Sequence, residues 1–190
     1  MLSNAKELMS KGETTAAVSL LNEILKQNSR MAEAYNMRGA AFFMQEKYIE
    51  ALSDFNDAVI LDSTQYKHFY NRGNAKRALR DWKGALADYN KALQLDNTFY
   101  DIYLNRGIVN RSLGELDNAL SDFEMAEKLS QGKDANVLYY FGETLSRKTE
   151  FLSSQEEINT YKLKACNKLN QAVRLGNELA KTLHVKICPS

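Results

Sequence analysis

Proline is almost missing from this 190-residue chain. The one copy, Pro189, sits next to the end, so nothing in the first 188 residues forbids helix on that ground. Cysteine is scarce as well. Cys166 and Cys188 are too few for a disulfide framework and badly spaced for a metal, which makes a reducing, cytoplasmic setting the default expectation. No apolar run approaches the ~18 residues of a membrane helix, and the opening MLSNAKELMSKG lacks the apolar core of a signal peptide. The two histidines, His68 and His184, have no neighbouring cysteine or matched carboxylate motif, and H-E-x-x-H, C-x-x-C and G-x-S-x-G do not occur. The expectation is no catalytic residue, no metal and no cofactor. His68 reads as a surface or packing residue, and Cys166, beside Ala165, as buried and inert. Net charge is only +1, with 26% charged and 44% hydrophobic residues, which excludes a disordered chain and a nucleic-acid binder of uniformly basic character.

What the chain does have is a repeat. NRG at Asn71–Gly73 returns at Asn105–Gly107, and the same interval taken back from Gly73 reaches Gly39 in YNMRG. The interval also links Ala51, Ala85 and Ala119; Phe55, Tyr89 and Phe123; Ala58, Ala92 and Ala126; and Leu61, Leu95 and Leu129. A fixed period of this kind is the mark of a stacked array. Each repeat reads as two helices: a first that carries the glycine, and a second that carries the alanines and the aromatic at helical spacing. Glycine inside a helix costs roughly 1 kcal/mol against alanine. A close approach of the two backbones, with the aromatic packed beside them, is the compensation to expect.

These glycine, alanine and aromatic positions resemble those of the tetratricopeptide repeat family. The resemblance implies an all-α fold, a right-handed α-solenoid of antiparallel helix pairs with a concave groove lined by the first helices. The full repeats are residues 32–65, 66–99 and 100–133. Residues 1–31 form a shortened first repeat with Ala5 in the glycine place. Residues 135–177 form a fifth, with Gly142, Ala165, Leu169 and Ala172 in the glycine, alanine, aromatic and alanine places. In that fifth repeat eleven extra residues separate the glycine from the alanine, so an insertion near 151–161 lengthens both arms about a turn at Ser153–Ser154. Ser153 or Ser154 starts a capping box there. Phe151, Leu152, Ile158 and Tyr161 are expected to pack across those arms, the alternative being a second contact surface. Residues 178–190 read as a capping tail, with Leu179, Leu183 and Ile187 on one stripe. The family's boundary proline is replaced by Ser63, Asn97 and Gln131, and Ser63-Thr64 and Asn97-Thr98 are placed to cap the following helices.

Two charged residues keep step with the repeat. Arg38, Arg72 and Arg106 precede the glycines, and Asp54, Asp88 and Asp122 precede the aromatics. The first and fifth repeats lack both. Their joint appearance predicts ion pairs within each hairpin that fix its register. The basic stretch GNAKRALRDWKG has no phosphate-loop spacing, so Gly73 reads as packing, Arg72 as ion-paired and Trp82 as packing near the turn.

What remains for function is the polar face of the central first helices. Lys67, Tyr70, Asn71, Asn74 and Arg77 lie on it in one repeat, and Leu104, Asn105, Ile108 and Arg111 in the next, with Phe43 and Met44 at comparable places before them. Asparagine can grip a peptide backbone, arginine a carboxylate, and Tyr70, Leu104 and Ile108 can give apolar pockets. The resemblance also raises the two-carboxylate clamp for acidic chaperone tails. From the second repeat the matching positions are Asn36, Ala40, Asn71, Asp101 and Asn105, and only Asn71 fits. From the third they are Tyr70, Asn74, Asn105, Asn136 and Tyr140, where Asn74 and Asn105 fit. From the first they are Leu2, Lys6, Met37, Lys67 and Asn71, where Lys67 alone fits. The expected function is therefore a non-enzymatic protein-interaction scaffold for a peptide, possibly acidic, other than a chaperone tail. A self-assembling unit and a nucleic-acid binder using Lys67, Lys76, Arg77, Arg80, Lys83 and Arg111 stay open. The 66–111 segment carries +5 between flanks of −4 and −3.

Overall fold

A computed structural model describes residues 1–188; Pro189 and Ser190, the end of the expected capping tail, lie outside the described residues. The described chain is helical throughout and divides into two bodies, Met1–Asn97 and Thr98–Ser190. The N-terminal body holds α1 (Leu2–Ser10), α2 (Thr14–Gln27), α3 (Ala32–Met44), α4 (Tyr48–Leu61), α5 (Tyr66–Ala78) and α6 (Trp82–Leu95). The C-terminal body holds α7 (Tyr100–Ser112), α8 (Leu116–Leu129), α9 (Ala135–Lys148), α10 (Gln155–Arg174) and α11 (Glu178–Ile187). No helix among the described residues is long and apolar enough to cross a membrane.

Each of the three full repeats closes on its aromatic. In the third, a Cβ added to Gly73 would stand 2.8 Å from the ring of Tyr89, which is wholly buried. Gly39 and Gly107 meet the rings of Phe55 and Phe123 in the same way. Alanines 51, 85 and 119 on the partner helices are fully buried as well, so small residues on both sides set the helix separation. Between the two helices of a repeat the chain turns through the left-handed region at one register position: Gly12, Glu46, Arg80 and Gly114, with φ of 77°, 60°, 62° and 83°. The next amide then reaches back across the turn, as Asp81 N–H does to Lys76 O at 2.9 Å, closing the helix end. Arg80, at the edge of the basic stretch, is thus a turn residue in a conformation that suits glycine.

The joints between repeats depart from expectation. The residue before α5 is Gln65 and the residue before α7 is Phe99, and neither caps its helix with a side chain. Thr64 turns back instead: its N–H and hydroxyl both donate to Asp62 Oδ1, at 2.8 and 2.6 Å. Asn28, at the same place in the preceding repeat, accepts from Arg30 N–H at 3.0 Å. A side-chain-closed turn at the end of the second helix, rather than a cap at the start of the next, therefore shapes these joints.

The fifth repeat is longer on one arm only. α9 ends at Lys148 and runs into a 3-10 turn, Thr149–Phe151, while the extra helix falls on α10, 20 residues against 14 in α8. Ser154 Oγ accepts from Glu157 N–H and starts α10. Phe151 is 67% exposed and does not pack across the arms; Leu152, Ile158 and Tyr161 are half-buried. α11 then lays Ala180, Leu183 and Ile187 over Leu138, Leu169 and Ala172, while Leu179 faces out. Cys166 and Cys188 correct the sequence reading outright: they are joined by a disulfide that ties α10 to the end of α11. The cysteine count consequently gives no argument for a reducing compartment.

Candidate functional site

Three arginine–aspartate sets decide which charges are free to act. Arg38 donates from Nε and Nη2 to the two oxygens of Asp54, at 2.8 and 2.7 Å. Arg72 grips Asp88 in the same fashion, at 2.9 and 2.6 Å, and Arg106 holds Asp122 at 2.6 to 3.1 Å. The aspartates are buried and the arginines about one-fifth exposed. Hydrogen bonding to Asp54 raises Arg38 above the usual arginine value. Burial pushes the Asp122 carboxyl up, against the pull of Arg106 and of Asn110, whose amide also donates to it at 2.9 Å. The arginines do more than close their own hairpins. Arg38 Nη1 also donates to Asn22, and Arg72 Nη1 to Asn56, each on the second helix of the preceding repeat. The signal was present in the sequence, since Asn22, Asn56 and Asn90 recur with the repeat period. Lys76 adds an ion pair to Asp88 at 2.8 Å. Arg72 and Lys76 are therefore structural charges.

On the N-terminal body, Asn71 and Asn74 share a recess of about 150 Å³ with Ala40, Phe43, Met44 and Phe55. Gly39 brings α3 down onto Phe55, so that ring forms the floor. Met44 is half exposed at the end of α3, and the two amides stand on successive turns of α5. Neither amide is idle. Asn71 Nδ2 donates to Asn36 Oδ1 at 2.9 Å, and Asn74 Oδ1 accepts from the Tyr89 hydroxyl at 2.7 Å. These bonds fix the side chains and leave the carbonyl of Asn71 and the amide N–H groups of Asn74 to address a ligand. Burial pushes the Tyr89 hydroxyl well above the usual tyrosine value, with Arg77 beside it acting the other way. The Nε of Arg77 is buried and donates to nothing among the described residues. Tyr70 leans on Tyr89 at 6.2 Å between centroids, and Lys67 is exposed, 5.9 Å from the Tyr66 ring centre.

The C-terminal residues fare differently. Leu104 is no pocket wall: it is buried among Ala119, Phe123, Ala126 and Val137. Ile108 packs against the same cluster, and Asn105 is half-buried on α7. Arg111 forms an ion pair with Glu143 of α9 and lies 5.1 Å from the Tyr140 ring centre, so its charge is already met. Helical spacing placed these side chains on the correct helix. It could not see that the next repeat's first helix covers Leu104 and supplies Glu143.

His68, expected to be a surface or packing residue, is buried. Its Nδ1 stands 2.9 Å from Asp62 O; a carbonyl only accepts, so Nδ1 carries the proton. Burial works to lower His68, but hydrogen bonding to Glu33 and to Asp62 O raises it on balance, and His68 in turn lowers Glu33. No group of three or more metal-ligating side chains occurs among the described residues.

Comparisons agree with this architecture. A tetratricopeptide repeat family model matches residues 2–66, and a second, a TPR repeat model, matches residues 73–111. No curated protein matches. Among solved structures, MamA from Desulfovibrio magneticus RS-1 superposes with a TM-score of 0.76 at 16% identity, covering 91% of each chain. YrrB, a TPR protein with an unusual peptide-binding site, gives 0.73 at 25% identity over 96% of this chain and 88% of its own. The APC/C hetero-tetramer Cut9–Hcn1 gives 0.83 at 16% identity over 97% of this chain but 35% of the other.

Proposed function

This chain belongs to the tetratricopeptide repeat family, and we propose that it is a non-enzymatic scaffold that holds a peptide segment of a protein partner against the face of α5. One observation carries the reading: an apolar recess floored by Phe55, walled by Phe43 and Met44, and rimmed by two asparagine amides held in place by Asn36 and Tyr89. That combination suits a peptide in extended form. One apolar side chain fills the recess while the amides take up its backbone groups. Arg77 and Lys67, one turn to either side, favour an acidic residue flanking the apolar one. YrrB, to which this chain is similar, has a peptide-binding site, which supports a peptide as the class of ligand. On the C-terminal body, Asn105 of α7 is the corresponding candidate contact; Ile108 packs against the Leu104 cluster and Arg111 is paired with Glu143. The nucleic-acid reading loses two of its six cations, Lys76 to Asp88 and Arg111 to Glu143, which weakens it.

The test is selection of random peptides on the native protein. The selected peptides are then titrated against wild type, Met44→Glu and Asn71→Ala. Met44 is exposed, so its replacement spares the core. Selected peptides sharing an apolar anchor beside a carboxylate, weakened ~10-fold or more by either change, are the expected result. Equal affinity for all three proteins contradicts it.

A further inference from the structure

We propose that Cys166 and Cys188 form a thiol-exchange site that fastens and releases the terminal helix. α11 does the work of another repeat's first helix, laying Ala180, Leu183 and Ile187 over Leu138, Leu169 and Ala172. It does so with little of its own to hold it. Among its described residues only Ala180 is fully buried, and Leu179 and Val185 are 63% and 79% exposed. In α3, by contrast, five residues are buried, and α4 stands behind them. Two fastenings make up the difference. At the near end Asn177 accepts from Ala180 N–H at 2.8 Å and donates to Asn136 Oδ1 at 3.1 Å. At the far end the fastening among the described residues is the disulfide, which closes a loop over a sequence separation of 22.

The bond is also reachable. Both cysteines are half-buried and line an open cavity of about 410 Å³ together with Lys162, Asn167, Asn170 and His184. A recess of that kind admits a small thiol, and Lys162 favours an anionic one. A thiolate attacks one sulfur of the pair. A new sulfur–sulfur bond forms as the Cys166–Cys188 bond breaks, and the departing sulfur leaves as a thiolate that takes up a proton. A second thiolate then attacks the mixed disulfide, so two external thiols are oxidised to their disulfide and both cysteines end reduced. With the far fastening gone, α11 opens and bares Leu138, Tyr139 and Val173 beneath it. The site is independent of the peptide reading, since it lies on α10 and α11.

The experiment uses the full chain and reduced glutathione as the probe. Iodoacetamide labelling of unfolded protein, followed by mass spectrometry, counts free thiols before and after glutathione. Hydrogen exchange follows residues 178–187. The expected result is no labelling before treatment and two labels after it, with α11 amides exchanging at least ~10-fold faster once reduced while α3 and α5 are unchanged. Cys166→Ser/Cys188→Ser should show the reduced pattern without glutathione, and the reduced wild type gives the answer should that variant misfold. Free thiols in the untreated, air-oxidised protein, a disulfide that glutathione does not open, or equal α11 protection in both states would each overturn the proposal.

Discussion

The third and fifth repeats use the same helix-pair plan with opposite means of holding it. In the third, Arg72, Asp88, Lys76 and Asn56 form a network of short, directional bonds between buried or half-buried groups. In the fifth, Phe141 and Lys168 stand where arginine and aspartate would be. Lys168 reaches back to Glu127 of the previous repeat at 2.6 Å and lies 5.1 Å from the Phe141 ring centre. Gly142 meets Leu169 instead of an aromatic ring, and a covalent bond fastens the end. The third repeat is thus held by polar bonds between its own helices and to the repeat before it, the fifth by a longer second helix, a short covering helix and a disulfide.

That contrast can be broken at its strongest point. Asp88→Ala strands Arg72 and Lys76, whose side chains are only 18% and 19% exposed, and is expected to cost about 3–5 kcal/mol in urea unfolding. Glu127→Ala strands one cation, Lys168, and removes a carboxylate that is 21% exposed against 4% for Asp88, so a smaller loss of about 1 kcal/mol is expected. Equal losses would show that the two repeats are held alike. Gly73→Ala comes next. The added methyl enters the Tyr89 ring, which Asn74 pins, and a loss of about 1–3 kcal/mol outweighs the helix-propensity gain.

Smaller effects sharpen the picture within the N-terminal body. Arg80→Gly and Glu46→Gly relieve left-handed backbone at the helix turns and should each raise stability by about 0.5–1 kcal/mol. Arg80→Gly removes a positive charge as well, so unchanged peptide binding in that variant would also show that the turn is no part of the proposed site. The smallest effect expected is a pH dependence. His68 is raised in the fold, so its contribution is full below its ordinary value of 6.5 and fades as pH rises through the folded value. Glu33 is lowered, so its contribution is full above its ordinary 4.5 and fades as pH falls through the folded value. Their contact thus stabilises most between about pH 4.5 and 6.5, and His68→Gln should flatten the thermal-melting profile across neutral pH.

The fixed period carried most of the fold, because glycine, alanine and aromatic positions report directly on where two backbones touch. The arginines and aspartates were legible for the same reason. Asn22 and Asn56 carry an equal periodic signal, but asparagine on a second helix suggests solvent more readily than a partner. Leu104 and Arg111 were harder: their surroundings come from α8 and α9, and spacing on α7 alone reveals neither. The disulfide was out of reach, because a sequence separation of 22, a helix end and a turn lie between two cysteines whose meeting depends on how α11 folds back. In the recess, Asn71, Phe43 and Met44 were legible as candidates. Their convergence over Phe55 was not, because it depends on the depth that Gly39 creates.

The claim that matters most is that this recess holds a peptide. The direct measurement is a nuclear magnetic resonance titration of the Asn71 and Asn74 side-chain amides and the Met44 methyl with a selected peptide. The account predicts that these signals shift most and saturate together. Shifts strongest around Phe151 and α10, with the three signals unmoved, would contradict it.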